Sequence, residues 1–243
     1  MPTPDWKTLR HFYGSAEDLP EILAELEDDP ASFDWGELFD RVLHQYSTFS
    51  ASVHVLPYIA RAIPKLESSA RGMPLALAGG IVSGSSKAAV KDFESCLDDL
   101  GILALDNLDT APLTRGERVY VMQAAMAFAG DRLWGHALDR LNDGEFRAKC
   151  QACNHDVRFL IGDQGHYCVA GERPRKPATP STPIQPCPPA KLPADGRKLR
   201  ALCIDQDPTL AEWVCYLFGK STCPQCAQPL SVREAIAREA DLS

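Results

Sequence analysis

Two cysteine pairs constrain this chain more than any other feature: Cys150-Gln-Ala-Cys153 and Cys223-Pro-Gln-Cys226. A CxxC turn presents two thiolates to one cation, and two such turns supply a tetrahedral S₄ set of the kind zinc favours. Residues 154–222 lie between them, longer than the usual spacing in zinc ribbons. The intervening chain must therefore leave and return, which costs little because loop-closure entropy grows slowly with length. The expected cofactor is one structural Zn²⁺ on Cys150, Cys153, Cys223 and Cys226. An S₄ site is coordinatively closed, so it staples a fold and does not catalyse. A thioredoxin-type redox role is disfavoured because neither pair sits in a βα context. Cys168, with His155 and His166 nearby, is an alternative fourth ligand. Cys96, Cys203 and Cys215 sit among apolar residues and read as core thiols. Nine cysteines, an odd number, fit a reducing compartment better than a full disulfide framework.

Upstream of the first pair the hydrophobic pattern is helical, with almost no period-two alternation. The pattern predicts a helix over Asp5–Tyr13 ending at Gly14. Asp18-Leu19-Pro20-Glu21 predicts a capping box opening a helix that buries Leu19, Ile22, Leu23 and Leu26 and ends at Asp29-Pro30. A third helix is expected over Phe33–Tyr46, with Phe39, Val42, Leu43 and Tyr46 on one face. A fourth contains Pro57 and runs to about Leu66. A weaker, Gly-rich helix covers Met73–Val82, and Lys87–Leu105, Arg115–Ala129 and Asp131–Leu141 complete the set. Leu19-Pro20-Glu21-Ile22 is echoed by Leu56-Pro57-Tyr58-Ile59, a spacing that suits two helices per repeat unit. The expected fold is therefore mainly α. A HEAT-like helical solenoid occupies residues 1–145. A small zinc-ribbon-like α+β segment occupies 146–243 and contains a Pro-rich insertion at 171–196.

In the second part, Val157–Ile161 and Tyr167–Ala170 flank a turn-rich stretch and predict a hairpin. Eight prolines in 171–196 predict an extended excursion and not a packed element. Asp207-Pro208 opens a helix to Phe218, and Ser231-Val232-Arg233-Glu234 opens a last one.

The 33 acidic and 25 basic residues give a net charge of −8, which excludes a generic basic nucleic-acid binder. The excess is local. Residues 1–40 carry Asp5, Glu17, Asp18, Glu21, Glu25, Glu27, Asp28, Asp29, Asp34, Glu37 and Asp40 against Lys7 and Arg10. The series from Glu17 to Asp40 is the candidate partner-binding surface, since a field of one sign steers an oppositely charged protein. The basic residues Arg173, Arg175, Lys176, Arg197, Lys198 and Arg200 form the sole basic cluster in the sequence. No Walker loop, GxSxG or HExxH is present, so a non-enzymatic protein is expected. His44, Gln45 and His54 flank the most distinctive polar stretch. They read either as a polar pocket or as groups bonding a connector, and the lack of an acid/base partner at defined spacing favours the connector. The amino-terminal residues contain no apolar signal region, and the longest uncharged run, between Arg71 and Lys87, is too short to span a bilayer. A cytoplasmic protein with no membrane partner is expected.

The stretches FYGSAEDLPEILAEL, LHQYSTFSASVHVLPYIARAI and FGKSTCPQCAQPLSVREAI together resemble a family of bacterial HEAT-repeat proteins with a zinc-ribbon-like C-terminal segment. The likeness covers most of 5–143 and 146–235. It rests on helix order, on Tyr13–Asp18, and on His44-Gln45 ahead of the Pro57 helix. The chain departs in Tyr46-Ser47, where a Gly-Thr or Gly-Ser step is common, and in its longer Pro-rich insertion. The resemblance implies a curved helical scaffold for binding macromolecules and transfers no catalytic residue. The expected function is a bacterial immunity protein that neutralises a cognate toxin, such as a secreted nuclease with a basic cleft. A generic protein-interaction solenoid and a nucleic-acid-associated HEAT/zinc-ribbon protein are the alternatives.

Overall fold

The fold is mainly helical with several small antiparallel sheets. The computed structural model describes residues 4–171 and 180–241. They divide into two compact units, 1–136 and 137–243. No helix among the described residues is long and apolar enough to cross a membrane.

The amino-terminal segment departs from its expected helix. Trp6–Thr8 forms a single 3-10 turn, and strands β1 (Arg10–His11) and β2 (Gly14–Ser15) pair as a hairpin with Phe12 and Tyr13 exposed at its tip. Gly14 at φ +133° makes the reversal, a conformation L side chains rarely adopt. The next helix, α1 (Leu19–Asp28), buries the four expected residues Leu19, Ile22, Leu23 and Leu26.

The Asp18 side chain makes no capping bond. Its carboxylate instead lies 2.8 Å from His11 Nε2 and accepts from Arg41 Nε at 3.1 Å. Burial works against ionisation of Asp18, but the Arg41 and His11 hydrogen bonds outweigh it and hold the carboxyl below its ordinary 3.8. Stability from a depressed carboxyl is present above the unfolded value and is lost as pH falls through the folded one. Asp18→Asn should therefore lower stability by about 1 kcal/mol at pH 7, a small figure because the side chain is 43% exposed. The difference from wild type in urea midpoint should shrink as pH falls below the ordinary carboxyl value of 3.8; an unchanged gap at low pH would show that Asp18 acts through packing.

Helix α2 (Trp35–Val42) starts at Asp34, whose carboxylate accepts from Gly36 N and Glu37 N. It stops four residues before the expected end. Strands β3 (Leu43–His44) and β4 (Ser47–Thr48) pair instead across Gln45 and Tyr46, both at positive φ, the geometry of a tight two-residue hairpin turn. A 3-10 turn (Ser52–Val55) then leads into α3 (Leu56–Ala62).

Helix α4 (Gly72–Gly84), expected to be weak, is apolar on all sides and deeply buried. It is followed by α5 (Lys87–Val90) and α6 (Glu94–Thr110). Helix α7 (Arg115–Phe128) opens with a complete capping box between Thr114 and Glu117 and is buried at Arg118 and Val119 and again from Val121 to Phe128, with Tyr120 exposed between them. Such nearly all-round burial marks the central helix of this unit. Its two buried polar side chains are bonded: Arg118 Nη1 donates to Leu108 O, and Gln123 Nε2 donates to Gly135 O in α8 (Arg132–Ala137) and to Tyr46 Oη.

In the second unit, α9 (Arg140–Asp143) ends at Gly144 in the left-handed region. Strands β5 (Glu145–Lys149), β6 (Asp156–Gly162), β7 (Gly165–Ala170) and β8 (Ser181–Pro183) form one antiparallel sheet in that order. The expected hairpin is β6–β7, joined by Asp163-Gln164. The Pro-rich insertion is not an unpacked excursion over its described part. β8 pairs with β7, Ile184 and Leu192 are buried, and α10 (Ala194–Ala201) begins directly after Pro193. Proline is tolerated on an edge strand, where no inward N–H is needed. Residues 172–179, which hold Arg173, Arg175 and Lys176, lie outside the described residues. Helix α11 (Pro208–Leu217) starts at Asp207, which accepts from Leu210 N; strands β9 (Lys220–Thr222) and β10 (Pro229–Ser231) pair, and α12 (Val232–Asp241) follows.

Candidate metal centre

The two cysteine pairs occupy equivalent loops. Lys149 pairs with Asp156 across the β5–β6 hairpin, and Thr222 pairs with Pro229 across β9–β10. Each pairing encloses a six-residue loop, 150–155 and 223–228, with a CxxC at its start. The backbone bonds match one for one. Cys150 N donates to His155 O and Asn154 N to Cys150 O; Cys223 N donates to Gln228 O and Ala227 N to Cys223 O. Asn154 (φ 56°) and Ala227 (φ 58°) both take the left-handed conformation just after the second cysteine. In each loop the two backbone N–H groups before the left-handed residue point at the first sulfur: Ala152 and Cys153 at Cys150, Gln225 and Cys226 at Cys223.

The loops bring the four sulfurs within 4.8 Å of one another. Cys150 Sγ lies 3.7 Å from Cys226 Sγ, and Cys153 Sγ lies 3.8 Å from Cys223 Sγ. A tetrahedron with Zn–S bonds of ~2.3 Å has edges of about 3.8 Å, so these two sulfur pairs already stand at the spacing of a tetrahedral S₄ site. All nine cysteines are free of disulfides. Cys150 and Cys223 are buried, Cys226 is half-buried and Cys153 is exposed, so one side of the cluster meets solvent.

Thiol ionisation is uneven across the cluster. Burial raises the Cys150 thiol, but the Cys153 and Ala152 N–H groups prevail and bring it to about 7. At Cys153 the His155 N–H favours the thiolate, while burial and the three neighbouring sulfurs push it up to about 12. Burial is also the first cause raising Cys223, with Cys150 and Cys226 adding to it. One thiolate, Cys150, forms readily, and Cys153 and Cys223 resist ionisation. A divalent cation reverses that repulsion, which is how metal binding and proton release are linked.

Cys168 is fully buried on β7 and outside the four-sulfur set; burial and the nearby Cys223 push its thiol up to about 12, so it stays neutral. His155 is exposed, and His166 stacks on Tyr216 at 3.6 Å. Cys96, Cys203 and Cys215 are buried thiols as expected. Sequence reasoning missed the matched loop length and the left-handed Ala227, a residue type that gives no signal of positive φ.

The other candidate residues are dispersed over the first unit. His44 and Gln45 are exposed on the β3–β4 hairpin, where His44 stacks on Phe12 at 4.1 Å. His54 sits apart, half-buried between the ring edges of Trp6 and Phe93. Among the ten acidic candidates, several are engaged internally. Asp18 and Glu37 bind Arg41, Glu27 binds Arg61 at 2.7 Å, Asp34 caps α2, and Asp29 accepts from Ala31 N and Ser32 N. Glu17, Glu21, Glu25, Asp28 and Asp40 have no ion-pair partner among the described residues. No protein-family model, curated protein or solved structure matches the chain.

Proposed function

We propose that this chain is a non-enzymatic binding protein whose second unit is stapled by one structural zinc ion and whose first unit presents an acidic docking face. In its most specific form the reading is a bacterial immunity protein, acting in the cytoplasm on a toxin with a basic cleft. When bound, the zinc supplies cross-linking and no chemistry, because four cysteine ligands leave no open position.

The observation that carries the binding reading is the placement of charge on α1. Glu21, Glu25 and Asp28 recur at helical spacing on α1 and form one exposed stripe, with the exposed Glu17 just ahead of the helix. The last turn of α1 contains Glu25, Glu27 and Asp28 and no basic residue. Acids at a helix C-terminus oppose the macrodipole, each by roughly 0.3–1 kcal/mol, and like charges four apart add to the cost. Arg61 and Lys65 offset part of that cost, the first paired with the Glu27 carboxylate and the second donating to Glu27 O; Glu25 and Asp28 have no ion-pair partner among the described residues, and locally unfavourable placement is characteristic of functional surfaces. The helical-repeat reading draws support from the paired motifs: Leu19-Pro20 and Leu56-Pro57 each open a helix, α1 and α3.

The test is co-expression with the product of the neighbouring gene, followed by co-purification and rescue of growth. Replacing Glu21, Glu25 and Asp28 together by Lys should slow association at low salt by at least about tenfold, with most of the effect lost at high salt. Unchanged association at low salt would remove α1 as the docking face.

A further inference from the structure

We propose that the cleft between α3 and the start of α6 is a receptor pocket for a cationic side chain, a guanidinium or ammonium group carried on an apolar stem. The cleft has a volume of about 420 Å³ and is lined chiefly by His54, Tyr58, Arg61, Phe93, Cys96 and Asp99, a size suited to a small group. Its walls mix the Tyr58 and Phe93 rings and Pro57 with the polar groups of His54, Arg61, Ser95 and Asp99. Phe93 and Trp6 meet the His54 ring edge-on at 5.7 and 6.3 Å.

The charge inside the cleft selects the ligand. Arg61 is neutralised, donating twice to Glu27 Oε1 at 2.9 and 2.7 Å. Asp99 has no ion-pair partner among the described residues, and at Cys96 its field outweighs the opposing one of Arg61. Burial holds His54 below the ordinary imidazole range, so near neutral pH it adds no positive charge. A neutral imidazole offers one nitrogen as a hydrogen-bond acceptor, and the His54 ring has no hydrogen-bond partner among the described residues. Burial, with Asp99 nearby, pushes the Cys96 thiol up to about 11, so that group stays neutral too. The cleft thus combines one free carboxylate, one free acceptor and aromatic walls. The same wall already holds a guanidinium: Arg61 lies over the Tyr58 ring at 4.7 Å, a cation–π contact. Anions are disfavoured by Asp99, and purely apolar groups leave Asp99 and His54 unpaired.

The proposal deepens the binding-protein reading, on which it rests for the biological source of the cation, a Lys or Arg of the basic partner. Its own test needs no partner. N-acetyl-arginine methylamide, N-acetyl-lysine methylamide, N-acetyl-leucine methylamide and N-acetyl-glutamate methylamide are titrated into the full chain. Binding is followed by the NMR signal of the His54 ring, assigned from its loss in His54→Gln. The arginine probe should shift that signal saturably, the lysine probe more weakly, and the leucine and glutamate probes not at all. Asp99→Asn, an exposed substitution that leaves the fold intact, should weaken the arginine probe about tenfold. The proposal is overturned if no probe moves the His54 signal, if leucine or glutamate moves it as much as arginine, or if Asp99→Asn leaves the affinity unchanged. Those outcomes leave the α1 charge-reversal test standing, so the two failures are distinguishable.

Discussion

Cys223→Ser is expected to abolish metal binding and unfold residues 137–243 while the helical unit persists. Zinc in an S₄ site contributes on the order of 10 kcal/mol of folding free energy, comparable to the whole stability of an ordinary domain, ~5–15 kcal/mol. Hydrogen bonds tie β9 to β8 and the residues after it, Thr182 Oγ1 to Thr222 O and Gln185 N to Lys220 O among them, and the metal adds its cross-link at the loop end of that contact. The check is metal analysis together with amide exchange. Wild type should carry about one zinc per chain and protect the amides of β5, β6, β9 and β10. Cys223→Ser should carry none and lose that protection, whereas α4 and α7 keep theirs. Cys168→Ala separates ligand from neighbour: Cys168 lies outside the four-sulfur set, so the variant should retain its zinc. A wild-type protein that is metal-free yet fully protected in these strands would refute the structural role, and iron in place of zinc would correct the metal.

The local rules that succeeded in the sequence are those no distant residue could override. α1 was legible because four large aliphatic residues recur at helical spacing and Asp29-Pro30 stops them. The start of α11 was legible because Asp207 bonds Leu210 N three residues away. The metal centre was legible as ligand identity, since CxxC spacing is itself the geometry of the turn. What brings the two turns together across residues 154–222 is tertiary, and no local pattern encodes it. The failures have the same origin. The Asp18 capping box lost to Arg41, a stronger charged partner from α2. Helix-spaced Phe39, Val42, Leu43 and Tyr46 satisfied the period, yet the chain reverses after Val42 and Leu43 packs beside Gly80 of α4. Proline content hid Ile184 and Leu192, two large aliphatic residues of that stretch and both buried. The candidate partner surface was legible as composition, but which acids remain free depended on where Arg41 and Arg61 fell.

The glycines of the first unit give a prediction in which sign matters as well as size. Gly79→Ala should destabilise by about 2–3 kcal/mol, although alanine is the better helix former by ~1 kcal/mol. A Cβ at Gly79 meets Ala124 Cα and Cβ of α7 at 2.6 Å, a backbone obstacle that cannot swing aside. Ala127, a neighbour of Ala124 on the same face of α7, is met as closely by α8, where a Cβ at Gly135 falls 2.8 Å from Ala127 Cα. α4 and α8 thus both approach this face of α7 at glycine contact, and a methyl at Gly79 must displace backbone, not a side chain. Gly101 in α6 is the opposite case: its added Cβ meets Phe128 Cβ at 3.8 Å, an ordinary contact. Gly101→Ala should therefore stabilise, by roughly 0.5–1 kcal/mol, through lower unfolded-state entropy and better helix propensity. Urea denaturation of the two variants beside wild type decides the matter. If Gly79→Ala is as stable as wild type, α4 and α7 do not meet at this glycine. If both substitutions destabilise alike, α6 approaches Phe128 of α7 more tightly than an ordinary contact at Gly101.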